Sequence, residues 1–283
     1  MRLKQINIEA QNQMKKSIPT SFEIWLKILV LIVVLNIVLF TGASLARMPP
    51  SPELSFLSGT WVFLDAAVAA LLFGLLLKLH TFRTDTGKIW LSFFVGMSLS
   101  ALGELAYTIL ETLGYEAYPS LADLFYLGSY IPLALGLVMA KNAIPIPLNR
   151  IWLYAYTGIF IVLSIGVLIL LGPNLIIVEP LETITGLLYP LGDLLLFYLA
   201  SFILLKLRSA EFAQTWILIM LGFLMYVVAD LWYVWQDSVL QTYGTFGFEF
   251  VDGLYIIAYA SFIFGAVTNF RLLLRIFGRT TNV

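Results

Sequence analysis

The 283-residue chain is 60% hydrophobic and 12% charged, carries a formal net charge of −1 and contains no cysteine. So few charges cannot cover the surface of a soluble domain, and a near-neutral balance leaves no electrostatic footprint for nucleic acid. Disulfides and thiolate metal sites are excluded outright.

The apolar residues fall in eight blocks, near 24–46, 58–79, 89–112, 120–140, 151–172, 181–205, 214–236 and 248–270. Each is close to the roughly 20 residues that a helix needs to cross the hydrocarbon at about 1.5 Å per residue. Barrel strands would alternate apolar and polar over segments of about ten residues, whereas LKILVLIVVLNIVLF in block one is continuous. The fold class is therefore an all-α integral membrane protein with eight transmembrane helices. Block one is too long for a signal peptide and has no small-residue cleavage site directly after it, so it is expected to remain as a span.

In chain order, a basic tail over residues 1–22 leads into block one, which begins Ile24-Trp25-Leu26. Block two carries Asp65 and ends Lys78-Leu79, followed by His80, the one histidine of the chain. Block three carries Glu104-Leu105-x-Tyr107-x-x-x-Glu111. Block four opens on Pro119-Ser120 and continues Asp123-x-x-Tyr126-x-x-x-Tyr130, then Gly136. Ser120 with Asp123 three residues later is capping-box-like. A linker over 142–150 holds Asn142, Pro145, Pro147 and Asn149, turn-forming residues that divide the chain.

The series then recurs. Block five begins Ile151-Trp152-Leu153, and block six runs from Asp193 to Lys206-Leu207. Block seven holds Asp230-Leu231-x-Tyr233-x-x-x-Asp237, and block eight holds Asp252-x-x-Tyr255-x-x-x-Tyr259, then Gly265. The copies lie 127, 128, 126 and 129 residues apart for the four block pairs. Ordered recurrence of rare charged positions indicates a duplication. The expected organisation is a first four-helix repeat over 23–142, a second over 151–273 and a C-terminal tail over 274–283. Each unit has an even number of spans, so the copies insert in parallel, related by an axis along the membrane normal.

Basic residues set the orientation. With the N-terminus inside, Arg2, Lys4, Lys15, Lys16, Lys27, Lys78, Arg83, Lys88, Lys141, Arg150, Lys206, Arg208, Arg271, Arg275 and Arg279 all fall on the inner side, and only Arg47 falls outside. This bias predicts a multi-pass cell-membrane protein with both termini cytoplasmic.

Chemistry is then left to the acids. Asp65, Glu104, Asp123, Asp193, Asp230 and Asp252 lie within or at the edge of the apolar blocks, in the outer half of the predicted membrane. An ionisable group at that depth costs about 2.5–3.5 kcal/mol on insertion scales and marks a functional site by default. Glu104 and Tyr107, Asp230 and Tyr233, Asp123 and Tyr126, and Asp252 and Tyr255 each stand at i, i+3 on one helical face. Tyrosine can donate to a carboxylate, and no cation is near in sequence. The candidate ligand- or cation-binding set is Asp65, Glu104, Tyr107, Asp123, Tyr126, Asp193, Asp230, Tyr233, Asp252 and Tyr255, lining an acidic cavity open to the outside. Capping competes as a role for Asp123, interhelical hydrogen bonding for Asp65 and Asp193, and an interfacial aromatic belt for the tyrosines. Glu111, Glu116 and Asp237 are expected to be solvated charges at loop edges. With one histidine and no cysteine, haem, metal cages and a catalytic triad lack material, and no cofactor or enzymatic activity is expected. Pro190-Leu191-Gly192-Asp193 comes near the Gly-x-Gly-Asp of intramembrane aspartyl proteases, with Pro190 replacing the first glycine.

The segment Tyr118-Pro119-Ser120-Leu121-Ala122-Asp123-Leu124-Phe125-Tyr126-Leu127-Gly128-Ser129-Tyr130 resembles a motif, Pro-Ser-x-Ala-Asp-x-x-Tyr-Leu, of the multi-pass membrane sensor regions that precede GGDEF-type diguanylate cyclases and histidine kinases. The similarity extends over Glu104 to Val138. It implies a sensing role for Glu104, Asp123 and Tyr126. Block eight is followed by only a short basic stretch here, so the expected output is through a separate cytoplasmic signalling partner. The expectation is thus a non-enzymatic membrane sensor whose cavity takes protons, a cation or a cationic small ligand. A proton- or cation-coupled transporter or channel is the alternative, and a structural membrane subunit or intramembrane enzyme ranks below both.

Overall fold

A computed structural model describes residues 21–80, 83–115, 119–147, 149–175, 180–207, 210–236 and 247–279. Among these residues the chain forms eight helices and no strand. They are α1 (Ser21–Leu45), α2 (Pro52–Lys78), α3 (Asp85–Thr112), α4 (Leu121–Ala143), α5 (Arg150–Leu175), α6 (Pro180–Lys206), α7 (Ala210–Trp235) and α8 (Phe250–Arg279). All eight are long and apolar enough to cross a membrane.

Several helices outrun their apolar blocks, because polar caps extend a helix past the part that hydropathy detects. α2 starts at Pro52 rather than near 58: Ser51 accepts from the Leu54 backbone N–H at 3.3 Å, and Pro52 occupies the first turn, where its missing N–H costs nothing. α3 starts at Asp85 rather than near 89, with Thr84 accepting from the Gly87 N–H at 3.1 Å. α8 continues to Arg279, so the segment expected as a tail from 274 is helical over most of its length.

The six helices α2, α3, α4, α6, α7 and α8 close a ring in that order, α8 returning to α2. α1 packs outside against α8, and α5 outside against α6. Burial follows this plan: α8 is the most buried helix, while α1 and α5 bury little. Side chains such as Leu31 and Ile169 project from these outer helices, apolar surface that suits lipid and would associate in water. Glycines set the closest approaches in the ring. A Cβ on Gly96 of α3 would stand 2.5 Å from Leu133 of α4, and one on Gly222 of α7 would stand 2.6 Å from Phe262 of α8.

Short connections make helices that follow one another in the chain antiparallel, so α2, α4, α6 and α8 start at one end, α3 and α7 at the other, and the bundle has two chemically distinct ends. One end gathers Lys78, Lys88, Lys141 and Lys206. There the Lys206 ammonium donates to the Lys141 carbonyl at 2.7 Å, and the Lys141 ammonium lies 5.3 Å from the Phe202 ring centre. His80 is half-buried just after α2, and burial lowers its pKa from the ordinary value. Between the ends, Trp90 and Trp216 stack with centroids 6.3 Å apart and planes 14° from parallel. Phe93 packs against both, and Phe73 stacks on Trp90. This aromatic layer fills the bundle axis.

Candidate functional site

The other end of the bundle holds a cavity of about 210 Å³, bounded by the starts of α2, α4, α6 and α8 and the last turns of α3 and α7. Among the described residues seven carboxylates line it (Glu104, Glu111, Asp123, Asp193, Asp230, Glu249 and Asp252), and no lysine, arginine or histidine does. Eight tyrosines make much of the wall.

Glu104, on α3, is the hub. One carboxylate oxygen accepts from the Tyr126 hydroxyl of α4 at 2.8 Å, and the other from the Tyr259 hydroxyl of α8 at 2.7 Å. Two neutral donors on an anionic acceptor are among the stronger hydrogen bonds a protein makes. The Tyr126 ring can come this close because Gly103 has no Cβ, which would stand 2.6 Å from it. Across the cavity, Tyr255 of α8 donates to Asp230 of α7 at 2.5 Å. Tyr130 of α4 donates to Asp193 of α6 at 2.7 Å. These bonds make a belt around the ring from α4 to α6 and from α7 to α8, with α3 tied to both α4 and α8.

Asp123 and Asp252 stand nearer the end of the bundle. Asp123 has both roles open to it in the sequence. It completes the capping box with Ser120 at the start of α4, and it accepts from the Tyr189 hydroxyl of α6 at 2.6 Å. Asp252 accepts from the Ser58 hydroxyl of α2 at 2.7 Å. Glu249 accepts from the Gln236 amide at 2.9 Å, and that side chain in turn accepts from the Trp232 indole at 2.8 Å.

One acceptor is left over. Asp193 is only 1% exposed, and its second carboxylate oxygen has no hydrogen-bond partner. It lies against the Asp230 carboxyl, close enough that the two interact directly. Two carboxylates this close exclude simultaneous negative charge unless a proton or cation lies between them. In the same cavity Tyr226, 8% exposed, has a hydroxyl without a partner; it sits near the Tyr259 and Ser100 hydroxyls but does not meet hydrogen-bond geometry with either.

Glu104, Tyr107, Asp123, Tyr126, Asp193, Asp230, Tyr233, Asp252 and Tyr255 thus line one cavity. Asp65 stands apart: it is buried on α2 and accepts from the Asn36 amide of α1 at 2.6 Å, outside the lining. Its interhelical bond is the alternative role the sequence left open. Glu111 departs from the expectation of a solvated loop-edge charge, since it is half-buried and lines the cavity. Glu116 and Asp237 lie outside the described residues. Sequence reasoning missed Tyr189, Tyr226 and Glu249. Tyr189 and Tyr226 stand four residues before Asp193 and Asp230, a signal that the acid-first i, i+3 pattern passes over, and Glu249 precedes a helix whose start hydropathy does not fix. Among the described residues, no group of three or more acids or histidines converges as a metal centre would require.

No protein-family model, characterised protein or solved structure matches this chain.

Proposed function

We propose that the chain is a multi-pass membrane sensor whose acidic, tyrosine-lined cavity faces the extracytoplasmic side and takes a proton, a cation or a cationic small ligand. One observation carries this reading. Among the described residues, seven carboxylates and no basic side chain share one cavity, at the end of the bundle opposite the lysines. Low-dielectric surroundings make such a concentration of acids costly unless positive charge joins it. The positive-inside bias puts the lysine end in the cytoplasm and the cavity end outside. Both termini are then cytoplasmic, and the sensed state passes to a separate cytoplasmic signalling partner.

The reading includes a duplicated architecture, with units over 23–142 and 151–273 related by an axis along the membrane normal. Contacts between positions that correspond in the two copies support it. Trp90 and Trp216 lie 126 residues apart in sequence and stack on each other. Glu104 and Asp230, at the same spacing, line the same cavity. Only residues next to a two-fold axis touch their own counterparts. The bond from Tyr126 to Glu104 likewise corresponds to that from Tyr255 to Asp230.

The aromatic layer around Trp90 and Trp216 lies between the cavity and the lysine end, which favours a receptor over a conduit. The lack of cysteine makes two tests clean. Single cysteines at Tyr115 and Asn142, both exposed, are expected to label with an impermeant maleimide from outside and only after permeabilisation, respectively. The purified protein is expected to bind cations or take up protons on titration, and Glu104→Gln with Asp230→Asn to remove that response. An unchanged response in the double variant would sink the proposal.

A further inference from the structure

Of the seven cavity carboxylates, Glu104, Asp123, Asp193, Asp230, Asp252 and Glu249 each accept a hydrogen bond from the protein. Among the described lining residues, the buried polar atoms left without a partner are the second oxygen of Asp193, which faces the Asp230 carboxyl, and the hydroxyl of Tyr226. A buried acceptor or hydroxyl without a partner is unfavourable, so a group that satisfies both is favoured there. The Tyr226 hydroxyl is evidence independent of the acids, since it is a neutral group more than nine-tenths buried that lines the same cavity.

What fits is set by donors, walls and volume. The free Asp193 oxygen can only accept and the Tyr226 hydroxyl can also accept, so a ligand that brings several N–H groups meets both. The walls are aromatic and aliphatic: tyrosine rings with Val62, Val234 and Val251. Ring faces attract cations, most of all desolvated ones. A bare divalent ion asks for six or more oxygens at about 2.3–2.6 Å, a convergence the described acids do not reach. The cavity of about 210 Å³ holds several waters at about 30 Å³ each, more space than one dehydrated ion fills.

We infer that the cavity binds a primary organic ammonium, its head group seated between Asp193, Asp230 and Tyr226 and its apolar body against the tyrosine wall. This rests on the reading of the cavity as a cation receptor and names the class of cation. A primary ammonium has three N–H donors, one each for the free Asp193 oxygen, the Asp230 carboxylate and the Tyr226 hydroxyl oxygen.

The test is titration of the full-length protein in detergent, at constant ionic strength, with n-butylammonium, 2-phenylethylammonium, tetramethylammonium, Na⁺, Mg²⁺ and Ca²⁺, followed by calorimetry. The two primary ammoniums are expected to bind saturably. Tetramethylammonium, which keeps the charge but has no N–H, is expected to bind at least about tenfold more weakly. Asp193→Asn is expected to lower n-butylammonium affinity by about ten- to a hundredfold. Tyr226→Phe removes a hydroxyl that makes no bond within the protein, so it is expected to weaken binding several-fold with an unchanged thermal midpoint. That combination separates ligand contact from a structural role even if the aspartate variant folds poorly. Saturable binding of a metal ion without ammonium binding would overturn this inference and leave the cation-receptor reading standing. Failure of every cation to bind, with no proton uptake, would overturn both. Equal affinity for tetramethylammonium, or a Tyr226→Phe protein that binds as before, would overturn the head-group assignment.

Discussion

Asp65 and Asp193 lie 128 residues apart in sequence, at matching positions of the two block series, and the fold uses them in opposite ways. Beside Asp65 the outer helix α1 carries Asn36, whose amide donates into the carboxylate at 2.6 Å. The position corresponding to Asn36, 127 residues on, is Leu163, which has no donor to offer. Asp193 instead takes the Tyr130 hydroxyl from α4 and keeps one oxygen idle beside Asp230. The tyrosines diverge accordingly. Tyr259, which corresponds to Tyr130 at a spacing of 129, bonds to Glu104 rather than to Asp65. The Asn36 amide of the outer helix thus makes Asp65 a helix-to-helix tie, whereas Asp193 lines the cavity.

The largest effect that could break this contrast is at Glu104, which receives two tyrosines while Asp65 takes the Asn36 amide. Glu104→Leu strands two hydroxyls and is expected to cost about 2–6 kcal/mol, read as a large drop in the thermal unfolding midpoint in detergent. Glu104→Gln keeps an acceptor oxygen and should lose distinctly less. A midpoint equal to wild type in the leucine variant would show that the hub is not structural.

Next comes Asn36→Leu, which makes the first corner resemble the second. It leaves the Asp65 carboxylate buried without its donor, at a cost of about 1–3 kcal/mol. Because Asp65 lies outside the cavity lining, ligand affinity should barely move. A fall in affinity as large as that of Asp193→Asn would place Asp65 functionally with the cavity acids.

Gly103→Ala adds a Cβ 2.6 Å from the Tyr126 ring and is expected to cost about 1–3 kcal/mol through overpacking. The corresponding position in the second half is Ala229, already packed with Tyr255, so the two halves differ in how closely this tyrosine approaches. Solvent exchange of the Tyr126 hydroxyl, or a crystal structure of the variant, would report whether the bond to Glu104 is lost. The smallest effect belongs to Ser120→Ala. Loss of its capping oxygen should cost about 1 kcal/mol and leave cation binding unchanged, which separates the capping role of Asp123 from its bond to Tyr189.

Hydropathy alone fixed the number and type of elements, since an apolar run long enough to cross a bilayer has helix as its only self-satisfied backbone solution. Of the ten candidate residues nine line the cavity, and eight of those came from the i, i+3 pairing of acids with tyrosines. Helix rotation along a single element is a local property and can be read from spacing. Partner choice between elements is not local. That Asn36 would capture Asp65, that Tyr259 would cross to Glu104, and that Tyr226 would be left idle beside Asp193 all depend on which helices the ring brings side by side and how far each side chain reaches. Only the three-dimensional packing decided those, because a hydrogen bond is made over about 3 Å between residues that can stand more than a hundred positions apart in the chain.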